Sequence, residues 1–202
     1  MQSSEMTQAS SVRLSSAIHD MSKFDFFASD IKDADSFMKD QLRRKDLKRS
    51  ELADMPENEI VGAVTAWIET SFKEDWSDMG EKLNSLPTPC LNIYCAEITL
   101  KQVINSGFSE AVFNLSNDFL GIAANGFRAV GYEKLAEIVD SAVKVGADKR
   151  PSGRSFVDFL EFSENVSFSA QDKDFRRCFE QTKFDRLAKQ YILNYSKYFG
   201  NA

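Results

Sequence analysis

Residues 89–104, PCLNIYCAEITLKQVI, carry only two charged side chains, Glu97 and Lys101. These stand four apart with the acid first, the favourable orientation for pairing across a helical turn. The remaining large side chains are apolar: Leu91, Ile93, Tyr94, Cys95, Ile98, Leu100, Val103 and Ile104. They surround a helix axis on most sides, and a helix apolar nearly all round must be buried. The run falls short of the roughly eighteen apolar residues that cross a membrane. The expected fold class is therefore all-α: a single multi-helix globular domain around a central buried helix at about 89–104. Thr88 is placed as its N-cap and Pro89 as its first helical residue.

The chain then turns. Asn105-Ser106-Gly107 ends the helix, with Gly107 in the left-handed conformation that closes one. Phe108, Val112 and Phe113 anchor a short helix, Asn117 or Asp118 caps the next, and Gly131 terminates it. Leu135, Ile138, Val139, Ala142 and Val145 form the inward stripe of a further helix that stops at Gly146. Upstream, Pro56 suits a first helical turn, and Ile60, Val61, Val64, Trp67, Ile68 and Phe72 keep helical spacing. Residues 73–86 read as a short helix or acidic loop around Trp76. Downstream, 147–154 is a loop by composition. Ser155 caps a helix bearing Phe156, Phe159 and Leu160; 163–174 reads as polar and turn-like. Phe184, Leu187, Ala188, Tyr191, Ile192, Tyr195 and Phe199 line a last helix. No strand alternation competes over a comparable length.

The first 55 residues differ in character. Six serines fall within 1–16, and the densely charged stretch 20–55 keeps Ile31, Ala34, Met38 and Leu42 at helical spacing. Lys39, Arg43, Arg44, Lys45, Lys48 and Arg49 make this part basic. The expected organisation is an N-terminal arm and charged helical extension over 1–55, followed by an all-helical domain over 56–202.

Catalytic signatures are missing from the sequence. The one histidine, His19, lies in the weakly patterned start, without partners that would make it an acid or base. Gly121, Gly126 and Gly131 are spaced by fives in a helical run with no preceding strand, which is no dinucleotide fingerprint. Cys90, Cys95 and Cys178 form no CxxC pair, so free thiols are expected rather than a disulfide framework or a zinc site. No catalytic residue, metal or cofactor is expected, and the chain is read as a non-enzyme. The start MQSSEMTQASS has neither a basic nor an apolar run, so the cytoplasm is the expected compartment. A net charge of −6 argues against direct binding to nucleic acid, which calls for a basic face.

Charge is concentrated in one place. Residues 51–81 hold nine carboxylates, Glu51, Asp54, Glu57, Glu59, Glu69, Glu74, Asp75, Asp78 and Glu81, against Lys73 alone, a local net of −8. On a helix, Glu74, Asp78 and Glu81 would share a face. Glu57, Glu59, Glu69, Glu74, Asp75, Asp78 and Glu81 are the candidate surface for a basic partner, with Trp76 as an aromatic anchor within it.

The stretch from Tyr94 to Val145 resembles the core of the bacterial DNA-mimic protein family, an all-helical domain. That family carries a helix ending in Asn-Gly-Gly-Phe, then Gln, aromatic residues and an Asn, then a helix ending in Ile-Gly. The matching residues are Asn105, Ser106, Gly107 and Phe108, then Glu110, Val112, Phe113 and Asn114, then Val130 and Gly131. The segments KLAEIVDSAVKV and FRRCFEQTKFDRLAKQYILNY resemble the family's later helices. Ser106 replaces a Gly, Glu110 stands where Gln is usual, and Ala111 replaces an aromatic. Of the motif, Asn105, Gly107, Phe108, Glu110, Phe113, Asn114 and Gly131 are read as structural, with Gly107 for backbone, Phe108 and Phe113 for core, and Asn105 and Asn114 for caps. The resemblance implies a protein that offers carboxylates in place of phosphates to a helix-turn-helix type DNA-binding regulator, and possible homodimer formation. Two other readings stand beside it. One is an immunity-type or adaptor protein that binds its partner without mimicry and exposes an apolar patch. The other is a small-molecule-binding domain with its cleft beside Asn105–Asn114.

Overall fold

The computed structural model describes residues 46–73, 77–146, 148–153 and 155–201. The expectations for the serine-rich start, His19 and the basic residues 39–45, and those for Glu74, Asp75 and Trp76, lie outside the described residues. Among the described residues the chain is all-α, with eight α-helices and no strand. They are α1 (Glu57–Glu69), α2 (Met79–Ser85), α3 (Thr88–Asn114), α4 (Asn117–Ala129), α5 (Glu133–Gly146), α6 (Phe156–Asn165), α7 (Ser169–Cys178) and α8 (Gln181–Asn194).

Helix α3 is the axis of the fold, touching α1, α4, α5, α6 and α7. Its apolar run is buried as the pattern requires: Cys90, Ile93, Tyr94, Cys95, Ala96, Leu100 and Val103 are all inside. Leu91 and Ile98 are partly buried, and Ile104 is 50 % exposed. The chain breaks its helical course at Gly107, three residues beyond it.

The closest packing is between α3 and α4. Gly126 of α4 lies so near α3 that a Cβ built on it would stand 2.3 Å from the Asn92 carbonyl oxygen. Ala96, Ala123 and Ala124, all fully buried, keep the neighbouring surfaces shallow. Small residues let two backbones approach in this way, and dispersion contacts accumulate along the seam. The spacing of glycines by fives thus has a packing reason at 126.

One core runs from Leu47 and Leu52 to Phe199. The two ends of the described chain meet: the Asn201 N–H donates to the Leu47 carbonyl at 2.7 Å, and the Arg49 N–H to the Asn201 carbonyl at 2.9 Å. Phenylalanines supply the anchors between helices. Phe113 packs on Phe159 and Phe162 with ring centroids 5.3 and 5.9 Å away, and Phe127 meets Phe184 at 5.9 Å.

Several local expectations are corrected. The N-cap position of α3 is Pro87, whose extended backbone launches the helix, while Thr88 is helical and makes no side-chain cap. Neither Asn117 nor Asp118 caps α4; the Ser116 hydroxyl accepts the Phe119 N–H at 3.1 Å. Serine and asparagine cap equally well, so propensity could not choose between adjacent candidates. Residues 163–174 are not a turn: α6 continues to Asn165 and α7 begins at Ser169. Ser155 caps α6 as expected, in a reciprocal capping box with Asp158. That helix turns Phe159 and Phe162 inward, but Phe156 is 72 % exposed. Tyr195 is likewise exposed, and Phe199 is buried beyond the end of α8 rather than on it. Gly131 ends α4 at φ +85°, and the Tyr132 N–H reaches back to the Phe127 carbonyl at 2.7 Å, a Schellman closure.

Candidate functional site

Two regions carry the residues singled out by sequence: the break in α3 and the acidic segment before it.

At the break, Gly107 has φ +78° and ψ −179°. Positive φ was expected, but the extended ψ places it in a region open essentially to glycine alone rather than in the left-handed helical well. The interruption separates a long first run of α3 from a short second one. The Phe108 N–H, left without its helical acceptor, donates instead to Asp172 Oδ1 of α7 at 2.9 Å. Phe108 itself is buried and meets Phe175 edge-on, with centroids 6.0 Å apart. The two asparagines are not caps: Asn105 is exposed within the first run of α3. Asn114 Nδ2 donates to Gln102 Oε1 and Glu110 Oε1, each at 3.5 Å, tying the second run back to the first.

A cavity of about 700 Å³ opens beside this break. Residues 103–107 form one wall; Asp172, Phe175 and Arg176 of α7, with Phe179 and Gln181, form the other. The cleft lies beside Asn105 as expected, and its second wall includes Asp172, within the 163–174 stretch whose composition reads as turn-like.

The acidic segment is spread over α1, α2 and the loops around them. Glu51, Asp54, Glu57, Glu59 and Glu81 are exposed. Asp78 is half-buried and accepts the Lys73 N–H at 2.8 Å. Glu69 is half-buried near Tyr94, whose phenol burial first, and the Glu69 charge second, hold well above its ordinary pKa. Glu74 and Asp75 lie outside the described residues. Ion pairs among the described residues include Glu97–Lys101, Arg128 with Glu133 and Asp140, Lys134–Glu137 and Asp174–Arg177. None of them involves Glu51, Asp54, Glu57, Glu59 or Glu81, so these exposed carboxylates stand without an ionic partner among the described residues.

Sequence spacing gave no hint of a second carboxylate group. Asp185 of α8 is buried, accepts Gln181 Nε2 at 2.7 Å, and is influenced by the Glu57 charge. Glu97 of α3 is influenced in turn by Asp185. Burial is the leading cause that raises both carboxyls; the Lys101 cation opposes it at Glu97, and the Gln181 hydrogen bond opposes it at Asp185. The folded state therefore holds these protons more tightly than the unfolded chain. Stability from these groups is fully present below the ordinary carboxylate range of about 4 and is lost as pH rises through the raised folded values. The contribution of these two groups to the melting temperature is expected to be smaller at pH 7 than at pH 4. Asp185→Asn, which keeps an oxygen for Gln181, should shrink that difference in calorimetric scans; an unchanged difference would sink the assignment.

The thiols are poor nucleophiles. Burial pushes Cys90 up to about 12, and raises Cys95 and Cys178 as well. The thiolate is the reactive form. Among the described residues no three His, Cys, Asp or Glu side chains converge to hold a metal ion, and no helix is long and apolar enough to cross a membrane.

Residues 84–195 match the family model described as DMP19-like protein. No curated protein and no solved structure matches the chain. The matched span runs from the last turn of α2 to the end of α8, takes in the whole break in α3, and stops short of the carboxylates of 51–81. It covers more than half of the chain, which therefore belongs to the DMP19-like family of DNA-mimic proteins.

Proposed function

We propose that this protein is a non-enzymatic binding protein that offers carboxylates to the DNA-binding surface of a basic, helix-turn-helix type regulator. Family membership supports the class of activity. One observation on this chain supports the surface: Glu51, Asp54, Glu57, Glu59 and Glu81 are exposed and make no ion pair among the described residues, whereas the later helices neutralise many of theirs. Unneutralised carboxylates at helical spacing can meet Lys and Arg groups that otherwise contact phosphates. The segment 51–81 lies before the matched span, and surface charge can differ among proteins of one fold. Glu69, Glu74, Asp75 and Asp78 complete the proposed acidic face, within a 56–202 domain preceded by the 1–55 extension. A cytoplasmic location and a homodimer, as in the family's DNA mimic, belong to the same reading.

The test is capture of the partner from host lysate on the immobilised protein at two salt concentrations, followed by competition with duplex DNA. Raised salt should release the partner, and DNA should displace it. One rim charge contributes at most about 1 kcal/mol, so single changes should do little. Glu57→Lys, Glu59→Lys and Glu81→Lys together should abolish capture with unchanged melting behaviour. Continued capture by the triple variant, or no competition by DNA, would favour the adaptor reading. That second reading has its own observation: Phe156, Val157 and Leu160 of α6 are 72, 71 and 43 % exposed. Phe156→Ser with Val157→Ser is the corresponding variant.

A further inference from the structure

We propose that the cavity at the break in α3 binds a free amino acid with a large apolar side chain. Asp172 and Arg176 stand one turn apart on α7, a spacing at which acid and base ordinarily pair. Here they form no ion pair. Asp172 Oδ1 accepts the Phe108 N–H at 2.9 Å, and Arg176 Nε donates to the Asp172 main-chain carbonyl at 3.3 Å. Both residues line the cavity, so it offers a negative and a positive group held apart.

The surroundings sort the two charges. The first run of α3 ends at the cavity, and the carbonyl end of a helix favours a cation. With Asp172 it makes the place for an ammonium. The terminal guanidinium N–H groups of Arg176 suit a planar carboxylate. Phe175 and Phe179 lie stacked with centroids 4.9 Å apart and planes at 13°. With half-exposed Ile104 they give an apolar surface for a side chain. An ammonium, a carboxylate and an apolar group are the three parts of such an amino acid. A simple fatty acid would leave Asp172 facing no cation, and a polyamine would leave Arg176 facing no anion. The volume of about 700 Å³ falls in the usual range of small-molecule sites, roughly 300–1,000 Å³.

The experiment is calorimetric titration of the full chain with L-phenylalanine and L-leucine, beside glycine, N-acetylphenylalanine and phenylalanine amide. Phenylalanine and leucine should bind saturably at one per chain, with Kd on the order of 1 mM or below. Glycine lacks the side chain, the acetyl compound the ammonium, and the amide the carboxylate; each should bind at least about tenfold more weakly. Arg176→Gln should remove the preference for phenylalanine over its amide. Asp172→Asn, which keeps an acceptor for Phe108, should remove the preference over the acetyl compound, with thermal melting as the check on folding. No saturable binding below about 10 mM would overturn the proposal. Equal binding of the blocked analogues would overturn it too, as would variants that keep both preferences. Since none of these readouts involves the carboxylates of 51–81, failure here leaves the proposed acidic face untouched.

Discussion

Replacing Gly126 with valine is expected to destabilise the protein by about 3 kcal/mol, at the upper end of the usual cost of overpacking. For a chain of this size that corresponds to a fall in melting temperature of about 6–12 °C. The reason is the identity of the atom in the way. A Cβ at 126 would lie 2.3 Å from the Asn92 carbonyl oxygen and 3.0 Å from its carbon, both in the backbone of α3. A flexible side chain could swing aside, but a helical carbonyl can move only with its helix. The shift would reach Ile93 and Ala96, which are fully buried. Gly121→Ala, in the same helix, is the control: a Cβ there meets nothing within 4 Å. It should be neutral or stabilising by up to about 1 kcal/mol through helix propensity. Urea denaturation of both variants is the measurement, and similar midpoints would show that the α3–α4 approach tolerates a side chain.

The central helix was legible because its pattern left no alternative. With Glu97 and Lys101 as the only charges in 89–104, burial on most sides was the one arrangement that kept the apolar groups from water. The break after it was legible for a different reason, since Asn-Ser-Gly between two apolar runs marks a backbone change and Gly107 the residue able to make it. The depth of Gly126 was not legible, because a glycine in a helical run looks alike whether it faces solvent or another backbone. Helix α7 was missed because SAQDKDFRRC presents little apolar surface. Its anchors, Phe168 and Phe175, are seven residues apart, and Phe168 lies just before the helix begins. That omission hid Asp172, which lies within 163–174, and its place in the wall of the cavity.

Charge and fold are separable in this chain. The break in α3, its Asp172 partner and the helices that hold both lie inside the matched span 84–195, while the exposed carboxylates Glu51, Asp54, Glu57, Glu59 and Glu81 lie outside it. Solvated carboxylates can change with little effect on the core, since surface substitutions usually move stability by less than about 0.5 kcal/mol. Half-buried Glu97 and buried Asp185 are different. Burial raises both carboxyls, so their charge is linked to folding as well as to any electrostatic surface. A variant series on the acidic segment therefore reports on binding, whereas one on Glu97 or Asp185 reports on stability first.

Gly107→Val is expected to cost about 3 kcal/mol from two sources that geometry separates. A backbone at φ +78° and ψ −179° costs a residue with a Cβ about 1–3 kcal/mol. The Cβ would also come within 3.2 Å of Asp172 Oδ1, the atom that accepts the Phe108 N–H. Pushing that carboxylate away leaves a partly buried donor unsatisfied, at about 1–3 kcal/mol. Gly107→Ala adds the Cβ alone and should show most of the same loss. Asp172→Ala removes the hydrogen bond and the crowded atom together. In the double variant the alanine at 107 has no carboxylate to displace, so the two losses should sum to more than the measured total by about 1 kcal/mol. Denaturant midpoints for the wild type, both single variants and the double variant give that coupling. Strict additivity would mean that Gly107 is required only for its own backbone angles, and that Asp172 caps the second run of α3 independently of the residue before it.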